Sequence, residues 1–166
     1  IESGNRQLDL VDAEDSAVLV AHPSYGETFV YGNVLLEHEG DGNSQLIHYG
    51  GDSGTESDYR KGTLYLFNNI IVSTRTGNTT LLRLSTNEES ADVRNNVVYV
   101  TASGDRLAML SRNGDLRLST NWMKPGRSDS HDTFSGTITD DGTGISGAAP
   151  GFVDEGSYDY HLAMGS

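Results

Sequence analysis

Cysteine is absent from these 166 residues, which excludes disulfides and thiolate chemistry. Proline is scarce, at 3 residues, and basic side chains are few: 11 Lys and Arg stand against 24 Asp and Glu, for a formal charge of -13. So acidic a surface repels phosphate backbones, and no nucleic-acid partner is expected. No apolar run is long enough to span a bilayer, so no membrane is expected either. No signal-peptide pattern opens the chain, so any export signal would lie upstream of Ile1. Apolar residues at helical period are also hard to find, which argues against an α-helical core. The length suits one domain over 1–166.

What remains is a chain of short Val-, Ile-, Leu-, Thr- and Tyr-rich runs divided by Gly, Asn, Asp and Ser, with 20 glycines in all. Such runs read as many strands and turns. Four of them, 28–36, 64–72, 91–99 and 116–124, align without gaps around Asn33, Asn69, Asn96 and Asn121, which lie 36, 27 and 25 residues apart. Each Asn is followed by an apolar pair or its equivalent. Strands of constant length joined by loops of variable length are the signature of a solenoid. Thr28, Leu64, Ala91 and Leu116 form one inward column and Val30, Leu66, Val93 and Leu118 another. Phe29, Tyr65, Asp92 and Arg117, then Tyr31, Phe67, Arg94 and Ser119, alternate outward. After the Asn, Val34, Ile70, Val97 and Trp122 resume the apolar column. The Asn column fits a tight bend in the left-handed conformation, with amides bonded from repeat to repeat.

A second alignment joins 7–11, 45–49, 80–84 and 106–110. It places Leu8, Leu46, Leu81 and Leu107 in one column and Val11, Tyr49, Leu84 and Leu110 in another. The three-residue spacing of these columns calls for a bend between them. In this register His48 lies beside Arg83 and Met109, and Gly50 beside Ser85, Ser111 and Asp12. Residues 1–124 are thus regular repeats and 125–149 a long polar connection, with a strand expected near Thr137 to Thr139. Residues 150–166 form a terminal coil. The second alignment opens at 7–11 with no Asn-bearing strand before it, which suggests the C-terminal part of a longer solenoid. An open first coil is expected to pair end to end in a homodimer.

The closing residues Pro150, Gly151, Phe152, Val153 and Asp154, then Asp159, Tyr160, His161 and Leu162, then Gly165 and Ser166, carry a family likeness. Together with the repeats they resemble bacterial right-handed parallel β-helix proteins of the pectate-lyase-like superfamily. The resemblance covers nearly the whole chain. It implies an all-β right-handed parallel β-helix of about five coils, an extracellular or periplasmic setting, and a polysaccharide or small-molecule substrate.

Chemistry is expected in the first half. A polysaccharide lyase needs a base and a group that neutralises a uronate carboxylate; His48, Arg83 and Tyr49 supply those residue types. His22, Asp12 and Asp52 could hold a divalent metal, Ca or Zn, either for that lyase or for hydrolysis of a non-sugar ester or phosphoester through His22 and His48. Phe29, Tyr31, Tyr65 and Phe67 form either a stacking platform for sugar rings or a patch covered by the loop at 50–62. The third reading is a non-catalytic binding or structural segment of a larger surface protein.

Overall fold

A computed structural model describes residues 27–165. Over that span the chain is all-β, with three short 3-10 turns and no α-helix among the described residues. The first repeat holds β1 (Glu27–Tyr31), β2 (Val34–Glu37) and β3 (Gln45–Tyr49). The second holds β4 (Gly62–Phe67), β5 (Ile70–Ser73) and β6 (Thr79–Leu84), and the third β7 (Glu89–Arg94), β8 (Val97–Val100) and β9 (Leu107–Arg112). Then follow β10 (Asp115–Ser119), β11 (Trp122–Met123), β12 (Thr137–Asp140) and β13 (Ile145–Ser146), and finally β14 (Phe152–Asp154) and β15 (Asp159–Leu162).

Each of the first three repeats sends one strand to each of three parallel sheets, and β10 to β13 extend only the first two. The first sheet runs β1-β4-β7-β10-β12, the second β2-β5-β8-β11-β13 and the third β3-β6-β9. In the first sheet Thr28, Leu64, Ala91 and Leu116 are in register, as are Val30, Leu66, Val93 and Leu118. Leu64, Leu66, Ala91, Val93, Leu116 and Leu118 are buried in the main core, as the two-residue period requires.

The Asn column is a continuous ladder. Asn33, Asn69 and Asn96 each donate their side-chain amide to Oδ1 of the next Asn at 3.0 Å. Their backbone N–H groups reach the same oxygens at 2.9–3.1 Å. Asn96 Nδ2 also donates to Leu66 O and Arg94 O, closing the bend from inside. The left-handed residue, however, is the one before each ladder Asn: Gly32, Asn68, Asn95 and Thr120 have φ of 69°, 56°, 55° and 53°. The ladder Asn supplies hydrogen bonds, and its predecessor supplies the turn.

Three expectations are corrected here. After the bend, the inward column is Leu35, Ile71, Val98 and Met123, one residue later than Val34, Ile70, Val97 and Trp122. The segment 125–149 is more than a connection, since β12 and β13 extend the first two sheets. The end of the chain is an antiparallel hairpin, β14 with β15, instead of one more set of parallel strands. This hairpin lies on the outer face of the second sheet, where Phe152 and Tyr160 pack with Ile70, Val72, Tyr99 and Trp122. That cover explains why β5 and β8 are apolar on both faces.

The third sheet keeps the expected β3 to β6 register: Ile47 faces Leu82, His48 faces Arg83 and Tyr49 faces Leu84. Between β6 and β9 the register differs by two residues, with Leu82 opposite Leu110 and Arg83 opposite Ser111. Met109 therefore does not neighbour Arg83, and Ser111 does not share the column of Ser85. Leu8, Leu10 and Val11, on which the end-to-end pairing rested, lie outside the described residues.

Candidate functional site

Two surfaces bring together side chains that can do chemistry. One is the outer face of the first sheet. Register fixes its rows: Phe29, Tyr65, Asp92, Arg117 and Thr139 in one, and Tyr31, Phe67, Arg94 and Ser119 in the next. Phe29 stacks on Tyr65 with centroids 5.0 Å apart and planes 11° from parallel, and Tyr31 stacks on Phe67 at 5.1 Å and 7°. Phe29 and Tyr31 are 52% and 61% exposed, so the loop at 50–62 does not bury them. The four aromatics form a ridge two strands wide.

Beyond the ridge the face turns polar. A groove of about 140 Å³ runs beside Tyr65, lined by Thr63, Ser90, Asp92, Asp115 and Arg117. Thr63 and Ser90 share a hydrogen bond of 2.8 Å across its floor. Asp92 is clamped by the guanidinium of Arg94 on its own strand. The side chains of Asp115 and Arg117 form no hydrogen bond or ion pair with any described residue. One ring face of Tyr65 is taken by Phe29, and the other is turned toward Asp92 and this groove.

The other surface lies on the third sheet, where β3 and β6 bring His48, Asp52, Arg83 and Ser85 together. Arg83 Nη2 meets Asp52 Oδ1 at 2.6 Å. His48 Nδ1 lies 3.4 Å from the other carboxylate oxygen, and His48 Nε2 lies 2.9 Å from Ser85 Oγ. Burial and the charge of Arg83 hold the His48 pKa below its ordinary value, against an opposing pull from Asp52 and Glu89. The imidazole is therefore neutral at pH 7. Ser85 Oγ also accepts from the Gly51 N–H at 2.9 Å and lies 3.0 Å from Gly51 O. This close approach needs glycine: a methyl group added at Gly50, where φ is 121°, would overlap the Ser85 side chain.

His48, Asp52 and Arg83 thus converge as their sequence positions suggest. Tyr49 does not join them. Strand alternation turns its ring into the core, where it is 5% exposed and its hydroxyl donates to Lys61 O at 2.9 Å; it cannot act as a base at this surface. His22 and Asp12 lie outside the described residues. Among the described residues no three His, Asp or Glu side chains are grouped to hold a metal ion, and the Asp52 carboxylate is engaged by Arg83 and His48. Ser85 was missing from the expected site. Its signal was the Gly50-Gly51 pair one register step away, which leaves room for a side chain directly beneath the turn.

Comparison with known proteins finds no match: no family model, curated protein or solved structure is significantly similar to the chain. No described helix is long and apolar enough to cross a membrane.

Proposed function

We propose that this chain is part of a secreted right-handed parallel β-helix of the pectate-lyase-like kind that binds polysaccharide along the outer face of its first sheet. Three parallel sheets, all fed in turn by the first three repeats and two of them extended further, with an Asn ladder at one bend, support the β-helix reading. The observation that carries the binding reading is the aromatic ridge of exposed Phe29 and Tyr31 and half-buried Tyr65 and Phe67, which opens onto the groove of Asp92, Asp115 and Arg117.

The chemistry is complementary to a sugar. The apolar face of a pyranose ring gains dispersion and hydrophobic burial on Tyr65, while its hydroxyls need donors and acceptors nearby. Asp115 and Arg117 have those capacities free. A chain of sugars lying across β1, β4, β7 and β10 passes from stacking sites to polar ones in steps of roughly 4.8 Å per strand. Parallel strands also hold these side chains on rigid backbone, which limits the entropy lost on binding.

Calorimetry of the purified chain against a panel of neutral and acidic polysaccharides tests this. Tyr65→Ala and Arg117→Ala are each expected to weaken the best ligand at least tenfold. Tyr158→Ala, at the tip of the terminal hairpin, should leave affinity unchanged. Absence of binding across the panel at millimolar sugar, or equal affinity for Tyr65→Ala and the parent, overturns the reading.

A further inference from the structure

The cluster on the third sheet has a geometry that polysaccharide binding does not use. We propose that Ser85, His48 and Asp52 form a nucleophile, base and orienting carboxylate that hydrolyse small, unhindered acyl esters by acyl transfer through Ser85. The hydroxyl and the imidazole are in hydrogen-bond contact at 2.9 Å through Nε2, and the opposite nitrogen faces a carboxylate at 3.4 Å. This is the order of contacts by which such a relay is recognised, whatever the fold around it. Arg83 pins the Asp52 carboxylate through both oxygens, Nη2 to Oδ1 at 2.6 Å and Nη1 to Oδ2 at 3.5 Å, and Oδ2 also faces Nδ1. With Nδ1 carrying the proton toward Asp52, Nε2 is left as the acceptor for the serine. The depressed His48 pKa keeps that acceptor free at neutral pH.

The elements explain why the three meet. His48 points outward from β3, and Ser85 directly follows the last residue of β6, two residues past Arg83 and beneath the Gly50-Gly51 turn. His48 and Asp52 are solvent-accessible and Ser85 is half-buried, so an ester approaches from the solvent side. Ser85 Oγ has two other acceptors near it, Gly51 O at 3.0 Å and Tyr49 O at 3.3 Å, both longer than the contact to Nε2. The Gly51 N–H donates to Oγ at 2.9 Å. Once Oγ bonds to carbon, this N–H can turn to the negative oxygen.

The reaction balances without a further reagent. Ser85 Oγ bonds to the ester carbonyl carbon as its proton passes to His48 Nε2. The tetrahedral adduct collapses, the C–O bond to the alcohol breaks, and the alcohol leaves with the proton from Nε2. Water then attacks the acyl-serine, gives a proton to Nε2, and releases the carboxylic acid as Ser85 takes that proton back. With one backbone donor for the oxyanion the rate is modest, so an activated acetyl ester is the right probe.

The test uses p-nitrophenyl acetate and a fluorophosphonate on the full chain. A single phosphonyl adduct mapped to Ser85 by mass spectrometry is expected. Hydrolysis above the buffer rate should fall at least 100-fold in Ser85→Ala, in His48→Ala and in Asp52→Asn, whose amide no longer holds the proton on Nδ1. The pH profile should rise to a plateau with a midpoint below about 6.5, the ordinary histidine value. Because Ser85 also ties down the 49–52 turn, the adduct on the parent chain decides if Ser85→Ala fails to fold. An adduct elsewhere, no adduct, or hydrolysis unchanged in folded Ser85→Ala overturns the assignment.

Discussion

A buried amide is worth keeping only if every polar atom on it is used, and Asn96 meets that condition. It is 1% exposed; its Nδ2 donates to Leu66 O, Arg94 O and Asn121 Oδ1, and its Oδ1 accepts from both nitrogens of Asn69. Asn96→Ala leaves several of those partners buried and unmatched, at roughly 1–3 kcal/mol each in the absence of relaxation. A loss of at least about 2 kcal/mol in denaturant unfolding is expected. Asn33→Ala, at the exposed end of the ladder, should cost less than about 1 kcal/mol. Equal costs at the two positions would mean that the ladder contributes nothing beyond its turns. Glu89 makes a similar demand with a full charge. It is 1% exposed, and its carboxylate is matched by Lys61 Nζ at 3.1 Å and Thr86 Oγ1 at 2.8 Å. Lys61→Met removes the countercharge and should destabilise the chain by about 3 kcal/mol, while Lys61→Met with Glu89→Leu should recover most of it. A double variant no more stable than the single one in urea titration would refute that account. The Asn ladder could be read in advance, because an Asn at a fixed place in four strands stands out. Glu89 could not, since nothing in a linear sequence tells a carboxylate opening a strand from one on the surface.

Among the elements, β7 and β10 of the first sheet were legible because polar and apolar residues alternate along them, and β1 and β4 because they align with those strands around the ladder Asn. A one-residue slip would turn Asp92, Arg94 and Arg117 into the core, so their register is strongly specified. The third sheet lacks that safeguard. Leu81, Leu82, Leu107 and Leu110 are all buried, and a shift of two residues between β6 and β9 conserves the apolar pattern. That is why alignment by leucines placed Arg83 beside Met109 when it faces Ser111. The terminal hairpin escaped for another reason: its contacts are with the outer face of the second sheet, and pattern along a strand cannot say which distant segment covers it. Thr120 is β-branched and has φ of 53°, where Asn68 and Asn95 occupy the equivalent sites. Left-handed backbone costs an ordinary residue about 1–2 kcal/mol, and Asn tolerates it far better. Thr120→Asn should therefore raise stability by about 1 kcal/mol, read as a higher melting temperature. A lower one would mean that the Thr120 hydroxyl, which donates to Asn95, outweighs the strain.

For the whole molecule, the response to acid should separate into two windows. The His48 pKa is lowered in the folded state, first by burial and then by Arg83, despite the opposing charges of Asp52 and Glu89. A group that resists protonation when folded adds stability that is present above its unfolded pKa and lost below it. As pH falls below about 6.5, the ordinary histidine value, the unfolded chain takes a proton at His48 that the folded chain refuses. Stability therefore declines from that point until the folded imidazole also titrates. A second decline begins lower. Asp105, Asp141 and Asp159 have depressed pKa values because Ser103, Thr143 and His161 donate hydrogen bonds to them. Their contribution persists above the ordinary carboxylate range, near 4, and disappears as pH falls through their folded values. Asp105 and Asp141 are exposed and Asp159 is partly so, and this second window therefore reflects many small effects and deepens at low salt. Urea midpoints measured from pH 8 to pH 2 should thus hold level to about 7, step down below about 6.5, and fall again below about 4. His48→Gln should erase the first step and leave the second. If the parent and His48→Gln midpoints run parallel between pH 7.5 and 5, His48 does not sit in the desolvated, Arg83-facing environment on which the ester-hydrolysing relay also depends.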